Sequence, residues 1–386
     1  MRKVAIIGIG QTPVNEHWGL SLRQLAVNAL WNAMEDAGTD RVDGLFVGNM
    51  LSGPLSDQEH LGALIADYAA LEDVEAVKVE AACGSGAAAL RQAVWAVGCG
   101  RLESAAVVGV EKLTEFSGRL SASALATAAD ADYESAVGLS FVAINALLMR
   151  RYIHEYGVSK NDFSLFTINA HKNAAHNPNA MFRSPITAEQ YAKAKMIADP
   201  INLLDSSPIA DGAAALIVVP WEDIGKYKAK ATEILACEIG MDSIALDKRS
   251  DFLRLRGVER SAEKAFKTAG VSLTDIDLLE LHDAFSIISV LSLEASGFAD
   301  RGSAIRFAAE KGIGIDGTLP LTTMGGLKGR GHPVGATGVY QLVEAVTQLR
   351  GAAPEAIQVA DARTAMVQNI GGSGATVITT ILKKQG

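Results

Sequence analysis

The chain runs twice through one order of strands, helices and glycine turns, and that repetition constrains its fold more than any local propensity. Val4–Ile9 is a β-branched run that ends in glycine, the mark of a buried strand. Ser21-Leu22-Arg23-Gln24 has the spacing of a capping box. Leu22, Leu25, Ala26, Ala29, Leu30, Ala33 and Met34 then keep helical period until Gly38 stops the helix, and Val42–Val47 reads as the next strand. The second pass begins with a strand over Glu233–Ile239. A helix follows from Ser261 and is closed by Gly270, and a strand over Ile276–Leu281 comes after Thr274-Asp275, as Leu45–Val47 comes after Thr39-Asp40. Cys83-Gly84-Ser85-Gly86 and Gly335-Ala336-Thr337-Gly338 each open a helix. Asp211-Gly212-Ala213-Ala214 and Gly372-Ser373-Gly374-Ala375 each lead into a terminal strand. The expectation is two homologous α/β halves, roughly 1–225 and 226–386, packed about a pseudo-twofold axis with a site at their junction. Residues 115–205 interrupt the pattern with polar helix and are expected to form an inserted lobe over the first half, which then comprises 1–114 and 206–225.

Composition narrows the function. The 386 residues are nearly half apolar and carry a net charge of −9, which argues against nucleic acid and against an anionic membrane surface. The N-terminal apolar run is too short for a signal peptide, and no stretch of about 20 apolar residues could span a bilayer. The three cysteines, Cys83, Cys99 and Cys237, make no disulfide framework and fit a reducing cytoplasm. An anionic ligand would need a local basic patch. Arg150, Arg151, Lys172, Arg183, Lys193 and Lys195 of the lobe could form one or could only face solvent, and Arg330 is a further candidate.

Four segments carry chemistry. Cys83 lies where Val77-Lys78-Val79-Glu80 turns into an alanine-rich helix, near unpaired backbone N–H groups at the positive end of the helix dipole; that setting favours thiolate. His332, boxed between Gly331 and Pro333, could take a proton from a thiol or donate to an oxyanion, and packing explains it poorly. His282-Asp283-Ala284-Phe285 closes a strand, where α/β folds place reactive groups. There His282 could equally be a core histidine and Asp283 a helix cap. Gln368-Asn369-Ile370-Gly371-Gly372-Ser373-Gly374 is a glycine turn whose N–H groups could bind an oxyanion or only make a tight corner.

Taken in order, these segments resemble the thiolase family over essentially the whole chain. Cys83 with Gly84-Ser85-Gly86 is similar to its nucleophile loop. Gly109-Val110-Glu111-Lys112-Leu113 is similar to its Gly-x-Glu-x-Met segment, and Asp211-Gly212-Ala213-Ala214 to its Asn-Asp-Gly-Ala-Ala turn. Gly325-Gly326 with Gly331-His332-Pro333-Val334-Gly335-Ala336-Thr337-Gly338 is the most specific piece. His282-Asp283-Ala284-Phe285 stands where many members have Asn-Glu-Ala-Phe, and His171-Lys172-Asn173 with Asn177-Pro178-Asn179 resembles the archaeal and sterol-carrier-type branch.

The resemblance implies a five-layered αβαβα fold and an enzyme that forms or cleaves 3-oxoacyl-CoA, foremost an acetyl-CoA C-acetyltransferase. By that analogy Cys83 carries the acyl group and His332 activates it. The N–H groups of Cys83 and Gly371 hold the acyl oxyanion, and His332 with a group near His282 holds the enolate oxygen. The thioester supplies its own activation, so no metal or redox cofactor is implied. Arg183, Lys172 and Arg330 would bind the substrate. A homodimer or homotetramer is implied, as are a small OB-fold partner carrying a zinc ribbon and a hydroxymethylglutaryl-CoA synthase alongside.

One departure stands out. Members ordinarily carry a second cysteine in a C-terminal Cys-x-Gly turn, and here that position is Asn369. Cys99 lies a helix away, about 24 Å at helical rise, and Cys237 sits in a core strand. The proton is therefore expected to move through His282 or His332, with Asn369 placing a water. Three alternatives remain open: a decarboxylating β-ketoacyl synthase, a retro-aldol or other acyl-transfer enzyme on the same scaffold, and a non-catalytic acyl-CoA or lipid-binding protein.

Overall fold

The local signals act where the sequence puts them. Helix α1 (Leu22–Ala37) starts at Ser21, whose hydroxyl accepts from Gln24 N while the Gln24 side chain accepts from Ser21 N. It ends at Gly38, in the left-handed conformation at φ 70°. The computed structural model describes residues 1–227 and 230–385.

The first half contributes β1 (Val4–Gln11), β2 (Gly44–Gly48), β3 (Glu75–Val79) and β4 (Ala105–Glu111), with helices α2 (Ser52–Ser56), α3 (Leu61–Tyr68) and α4 (Ser85–Gly98). The lobe holds α5 (Gly118–Leu125), α6 (Phe141–Tyr156), α7 (Ser164–Ala174) and α8 (Ala188–Lys193). Its short strands β5 (Met196–Ala198) and β6 (Ile201–Asn202) pair with each other. Strand β7 (Gly212–Pro220) completes the first half. The second half has β8 (Thr232–Met241), α9 (Arg256–Ala269), β9 (Leu278–Glu280), α10 (Ser286–Ala295), α11 (Ala304–Lys311), α12 (Thr337–Leu349), β10 (Thr364–Gly371) and β11 (Thr376–Lys384).

The halves repeat as expected. The main sheet runs β3-β2-β4-β7-β1-β8-β11-β10-β9, so β1, β7, β4 and β2 of the first half answer to β8, β11, β10 and β9 of the second. The pairing types correspond as well: β2·β4 and β9·β10 are parallel, while β4·β7 and β10·β11 are antiparallel. In the second half the counterpart of β3 shrinks to a single bridge, Leu279 with Leu321. Antiparallel pairing of β1 with β8 joins the halves into one nine-stranded sheet.

Side-chain alternation sorts the strands into layers. In β7, Ala213, Ala215, Ile217 and Val219 pack with α1 and α3, while Ala214, Leu216 and Val218 pack with α4 and α12. The other face of α4 and α12 meets Val367, Ile378 and Leu382 of the second half. Beyond that lie α9 and α10, packed on Met366, Ile370, Val377 and Ile381. The order is αβαβα, and α4 and α12 are the buried central layer.

The lobe departs from expectation. It packs mainly on the second half rather than over the first: Leu148, Met149 and Tyr152 of α6 share a core with Ile287, Leu291 and Val258, and the amides of Asn169 and Asn173 in α7 donate to Leu321 O. Its apolar residues complete the outer layer that α9 and α10 leave open. Three of its basic residues are paired, Arg150 with Asp199, Arg151 with Glu155 and Lys193 with Glu189.

Candidate active site

The N-termini of α4 and α12 meet at the centre of the molecule. A Cβ on Gly86 would lie 2.9 Å from Gly335 O, and one on Gly338 would lie 2.6 Å from Ala87 N. Only glycine lets two helix starts approach this closely. The contact brings together the turns that precede them, one carrying Cys83 and the other His332.

Cys83 sits between β3 and α4, after Ala82 at φ 51°. Ser85 fastens the turn: its hydroxyl accepts from Ala81 N at 3.0 Å and donates to Ala82 O at 2.6 Å. His332 follows the glycine-rich turn before α12, bridged to Ile209. Its Nδ1 lies 2.7 Å from Thr337 Oγ1, and that hydroxyl lies 3.5 Å from Pro333 O. With the hydroxyl donating to Pro333 O, Nδ1 carries the ring proton and Nε2 is left to accept. His282 follows β9 and lies edge-on to His332, with ring centroids 5.2 Å apart. The Asn369 amide donates to His282 Nδ1 at 3.2 Å, which leaves the His282 proton on Nε2. The ligating atoms of Cys83, His282 and His332 all lie within 4.8 Å of one another. A thiol and two imidazoles are also donors that a zinc ion accepts.

Burial sets the protonation states. Burial and the nearby Glu111 carboxylate push the Cys83 thiol up to about 12, against smaller downward pulls from the backbone groups of Gly372 and Cys83. The expected helix-terminus thiolate is overturned: loss of solvent outweighs the N–H groups, so the resting residue is a thiol. Burial drives His282 down to about 3, helped by the positive charges of Arg330 and Lys328. It holds His332 well below its ordinary value, helped by His282 and Arg330. Both rings are neutral at pH 7, one able to accept a proton and the other to donate one.

The three residues open into an apolar cavity of about 270 Å³ between the lobe and the second half. Its wall includes Leu125, Phe141, Val142, Ile197, Phe285 and Ile288. Gly372, not Gly371, reaches this wall and turns its backbone group to the thiol. Gly371 instead packs against the Cys83 turn, where a Cβ would lie 2.3 Å from Ala81 O. Arg183 and Lys172 are exposed and lie off the cavity wall. Arg330 is fully buried: Nε donates to Glu344 Oε1 at 2.9 Å and the guanidinium lies over Tyr340. It is removed as a substrate-binding residue, because an internal ion pair consumes it. Cys99 ends α4 exposed and Cys237 is buried in β8, as expected.

Glu111 is the residue whose importance the sequence left unassigned. It is fully buried at the end of β4. Its carboxylate accepts from Asn49 Nδ2 at 2.8 Å, Met50 N at 2.9 Å, Leu51 N at 3.1 Å and Gly335 N at 3.0 Å, so it ties β2 to the His332 turn. Burial raises it to about 7 against the three backbone donors and the positive charge of Lys78. The signal was a lone acid closing the apolar run Ala105–Val110.

Comparison with known proteins agrees with this geometry. The family model described as "Thiolase, N-terminal domain" matches residues 4–222, and "Thiolase C-terminal domain-like" matches 239–384. The chain is 40% identical over 386 residues to the acetyl-CoA acetyltransferase of Methanothermobacter thermautotrophicus, covering all of both chains. It is 38% identical to that of Methanocaldococcus jannaschii, covering 99% of each. Among solved structures, the "Ltp2-ChsH2(DUF35) aldolase" superposes with a TM-score of 0.87 at 26% identity, over 99% of this chain and 98% of that one. Among the described residues no helix is long and apolar enough to cross a membrane. With its two matched domains, its full-length relatives and its αβαβα layers, the chain belongs to the thiolase family of CoA-dependent acyltransferases.

Proposed function

We propose that the protein is an acetyl-CoA acetyltransferase working through an acyl-thioester on Cys83. The observation that carries this is the meeting of Cys83, His282 and His332 within 4.8 Å at the wall of one apolar cavity. As the Cys83 sulfur attacks the thioester carbonyl, its proton passes to His332 Nε2 and on to the departing CoA thiol. The acyl group then rests on Cys83. Transient proton transfer suits a thiol held near 12 beside a neutral imidazole, since neither has to be charged at rest. In this reading the N–H groups of Cys83 and Gly372, which face the thiol, hold the oxyanion. A second acyl-CoA then gives its α-proton to the neutral His332 Nε2, while His282 Nε2–H faces the enolate oxygen. The carbanion attacks the Cys83 thioester, the C–S bond breaks, and His332 returns the proton to the Cys83 sulfur as the 3-oxoacyl-CoA leaves. Asn369 acts here as a positioning residue, since its amide keeps the His282 proton on Nε2. The thioester supplies the activation, so the reading calls on no metal or redox group.

Incubation with acetyl-CoA followed by intact-mass analysis tests this. An acetyl adduct is expected on the protein and absent in Cys83→Ser, with 3-oxoacyl-CoA cleavage by CoA lost in the same variant. No adduct, with undiminished turnover in Cys83→Ser, would overturn it.

A second reading has one specific observation behind it, the aldolase's TM-score of 0.87. A retro-aldol enzyme would cleave a 3-hydroxyacyl-CoA without loading Cys83, so the adduct separates the two. That aldolase's name includes a DUF35 component, and a small OB-fold companion of this kind, together with a second copy of the chain, belongs to the same proposal. Co-purification of the tagged protein with its genomic neighbours addresses it.

A further inference from the structure

Lys328 is among the largest side chains that solvent does not reach, and none of the chemistry at Cys83 uses it. A lysine is almost never fully buried unless its charge is well paired. Here the pairing is loose: Asp283 Oδ2 lies 3.8 Å away and has no hydrogen-bond partner among the described residues. The ammonium donates instead to Asp283 O, a neutral main-chain carbonyl.

Asp283 is the residue after His282. Rather than capping α10, it accepts from Leu327 N through Oδ1 at 2.6 Å. Two neighbours, Leu327 and Lys328, thus grip one residue, the first by its carboxylate and the second by its carbonyl. Both belong to a single π-helical turn, Gly326–Arg330, which runs directly into Gly331 and His332. That turn is fixed independently against α7. A Cβ on Gly325 would lie 2.6 Å, and one on Gly329 2.5 Å, from Ala174 Cβ. Beyond α7, Phe182 N and Met181 N donate at 3.0 Å to Gly329 O and Arg330 O. On the His332 side, Thr337 holds the ring and Glu111 holds Gly335 N. On the His282 side, the ring bonds to Asn369, and the main chain just beyond it is tied to the turn through Asp283.

We propose that Lys328 is a positioning residue for His282: from a turn anchored on α7, its ammonium holds the carbonyl of Asp283 and so sets the His282 ring against His332 and the cavity. The inference rests on the acyl-transfer reading, in which His282 faces the enolate oxygen. It gives the buried charge a use as well, since burial, then Arg330, then this ammonium keep His282 neutral. Because His332 has its own fastenings, loss of Lys328 falls on the enolate step and spares the loading of Cys83.

The test uses Lys328→Met, Asp283→Asn and the two combined. Lys328→Met removes the donor and leaves the Asp283 carboxylate buried without its counter-charge. Adding Asp283→Asn removes that charge too, while the amide oxygen still accepts from Leu327 N. Replacing a buried ion pair by neutral groups is often neutral for stability, so the combined variant is expected to melt close to the parent. Two rates are then read in each protein: acetylation of Cys83 by acetyl-CoA, from intact mass, and steady-state cleavage of a 3-oxoacyl-CoA by CoA. In the combined variant kcat for cleavage is expected to fall by roughly tenfold to a hundredfold, as for a misplaced catalytic group, with KM and Cys83 acetylation held. Recovery of cleavage along with stability would show that the pair serves the fold alone and overturns the proposal. Equal loss of acetylation and cleavage overturns it too, by placing the effect at Cys83 or His332. Asp283→Asn alone keeps both hydrogen bonds of the grip and is expected to cleave at close to the parent rate. A loss of cleavage there, with the fold intact, would assign the effect to the charge pair and likewise overturn the proposal. Failure of acetyl-CoA to load Cys83 in the unaltered protein overturns the acyl-transfer reading and this proposal with it.

Discussion

The two halves place different chemistry on corresponding strand ends. In the first half, Asn49 follows β2 and donates to Glu111 at the end of β4. In the second, His282 follows β9 and is held by Asn369 near the end of β10. Each pair is a buried hydrogen bond between neighbouring parallel strands. The first is saturated: Glu111 collects four donors and clamps the His332 turn. The second leaves an imidazole nitrogen free towards the cavity and an unpartnered oxygen on Asn369. A satisfied network stabilises, whereas a partly satisfied one keeps a valence for chemistry. Duplication therefore supplied one framework, and the halves divided it into a clamp and a proton-transfer pair.

The most severe way to break this division is to remove the chemical member. His282→Ala takes away the donor that faces the enolate, so condensation and cleavage should fall by roughly 10²–10⁴-fold, the usual range for a general acid–base group. Loading of Cys83 by acetyl-CoA should survive, because His332 and the thiol remain. Steady-state kinetics beside intact-mass time courses separate the two steps. Equal loss of both would merge His282 into the acylation machinery and end the division proposed here.

The sequence disclosed the repeating part of this comparison and concealed the rest. Ser21, Gly38 and Gly270 act locally, within a few residues, so capping and stopping were legible from spacing. Runs of β-branched and apolar residues likewise exposed strands of both halves. Spacing does not state partners, however. The lobe's polar helices carry apolar stripes that fit the open face of the second half, and nothing in their period names that face. Arg330 reads as a substrate-binding cation, and only the fold reveals Glu344 beside it. The Cys83 thiolate failed for a related reason: a helix start was visible in the sequence, but the depth of the turn and the Glu111 charge were not. Gly372 rather than Gly371 reaches the cavity wall, and the sequence does not show which residue of a turn faces inward.

The clamp side is sharpened by Glu111→Gln. The carboxamide keeps the shape but turns an NH₂ towards backbone N–H donors, so a satisfied acceptor becomes a donor facing donors. The expected cost is about 1–3 kcal/mol of stability, measured by denaturant unfolding. Loss of the negative charge should at the same time lower the Cys83 thiol from about 12, since that charge is one of the forces raising it. Iodoacetamide alkylation followed against pH should accordingly show its rise at lower pH. A variant as stable as the parent would show that the clamp adds nothing to the fold.

The smallest effect tests the ionic core behind the second half's histidine. Glu280, on β9, is buried and accepts from Thr323 N at 2.8 Å, while its second oxygen has no partner. Burial first, then repulsion from Glu344, raises it from 4.5 to about 8. Between those values the folded chain holds a proton that the unfolded chain has released. Stability from this group is therefore complete below pH 4.5 and is lost as pH rises through about 8. Glu280→Gln keeps the acceptor for Thr323 and carries no charge, so it is free of the repulsion from Glu344. Its stability relative to the parent should grow steadily as pH rises from 5 to 8, read from urea midpoints at each pH. Because His282 takes its shift chiefly from burial and from Arg330 and Lys328, the same substitution should leave the low-pH limb of the rate profile in place. A rate limb that moved together with the urea midpoints would join the carboxylates to the proton path, and the second half's chemistry would then extend from the strand end into its core.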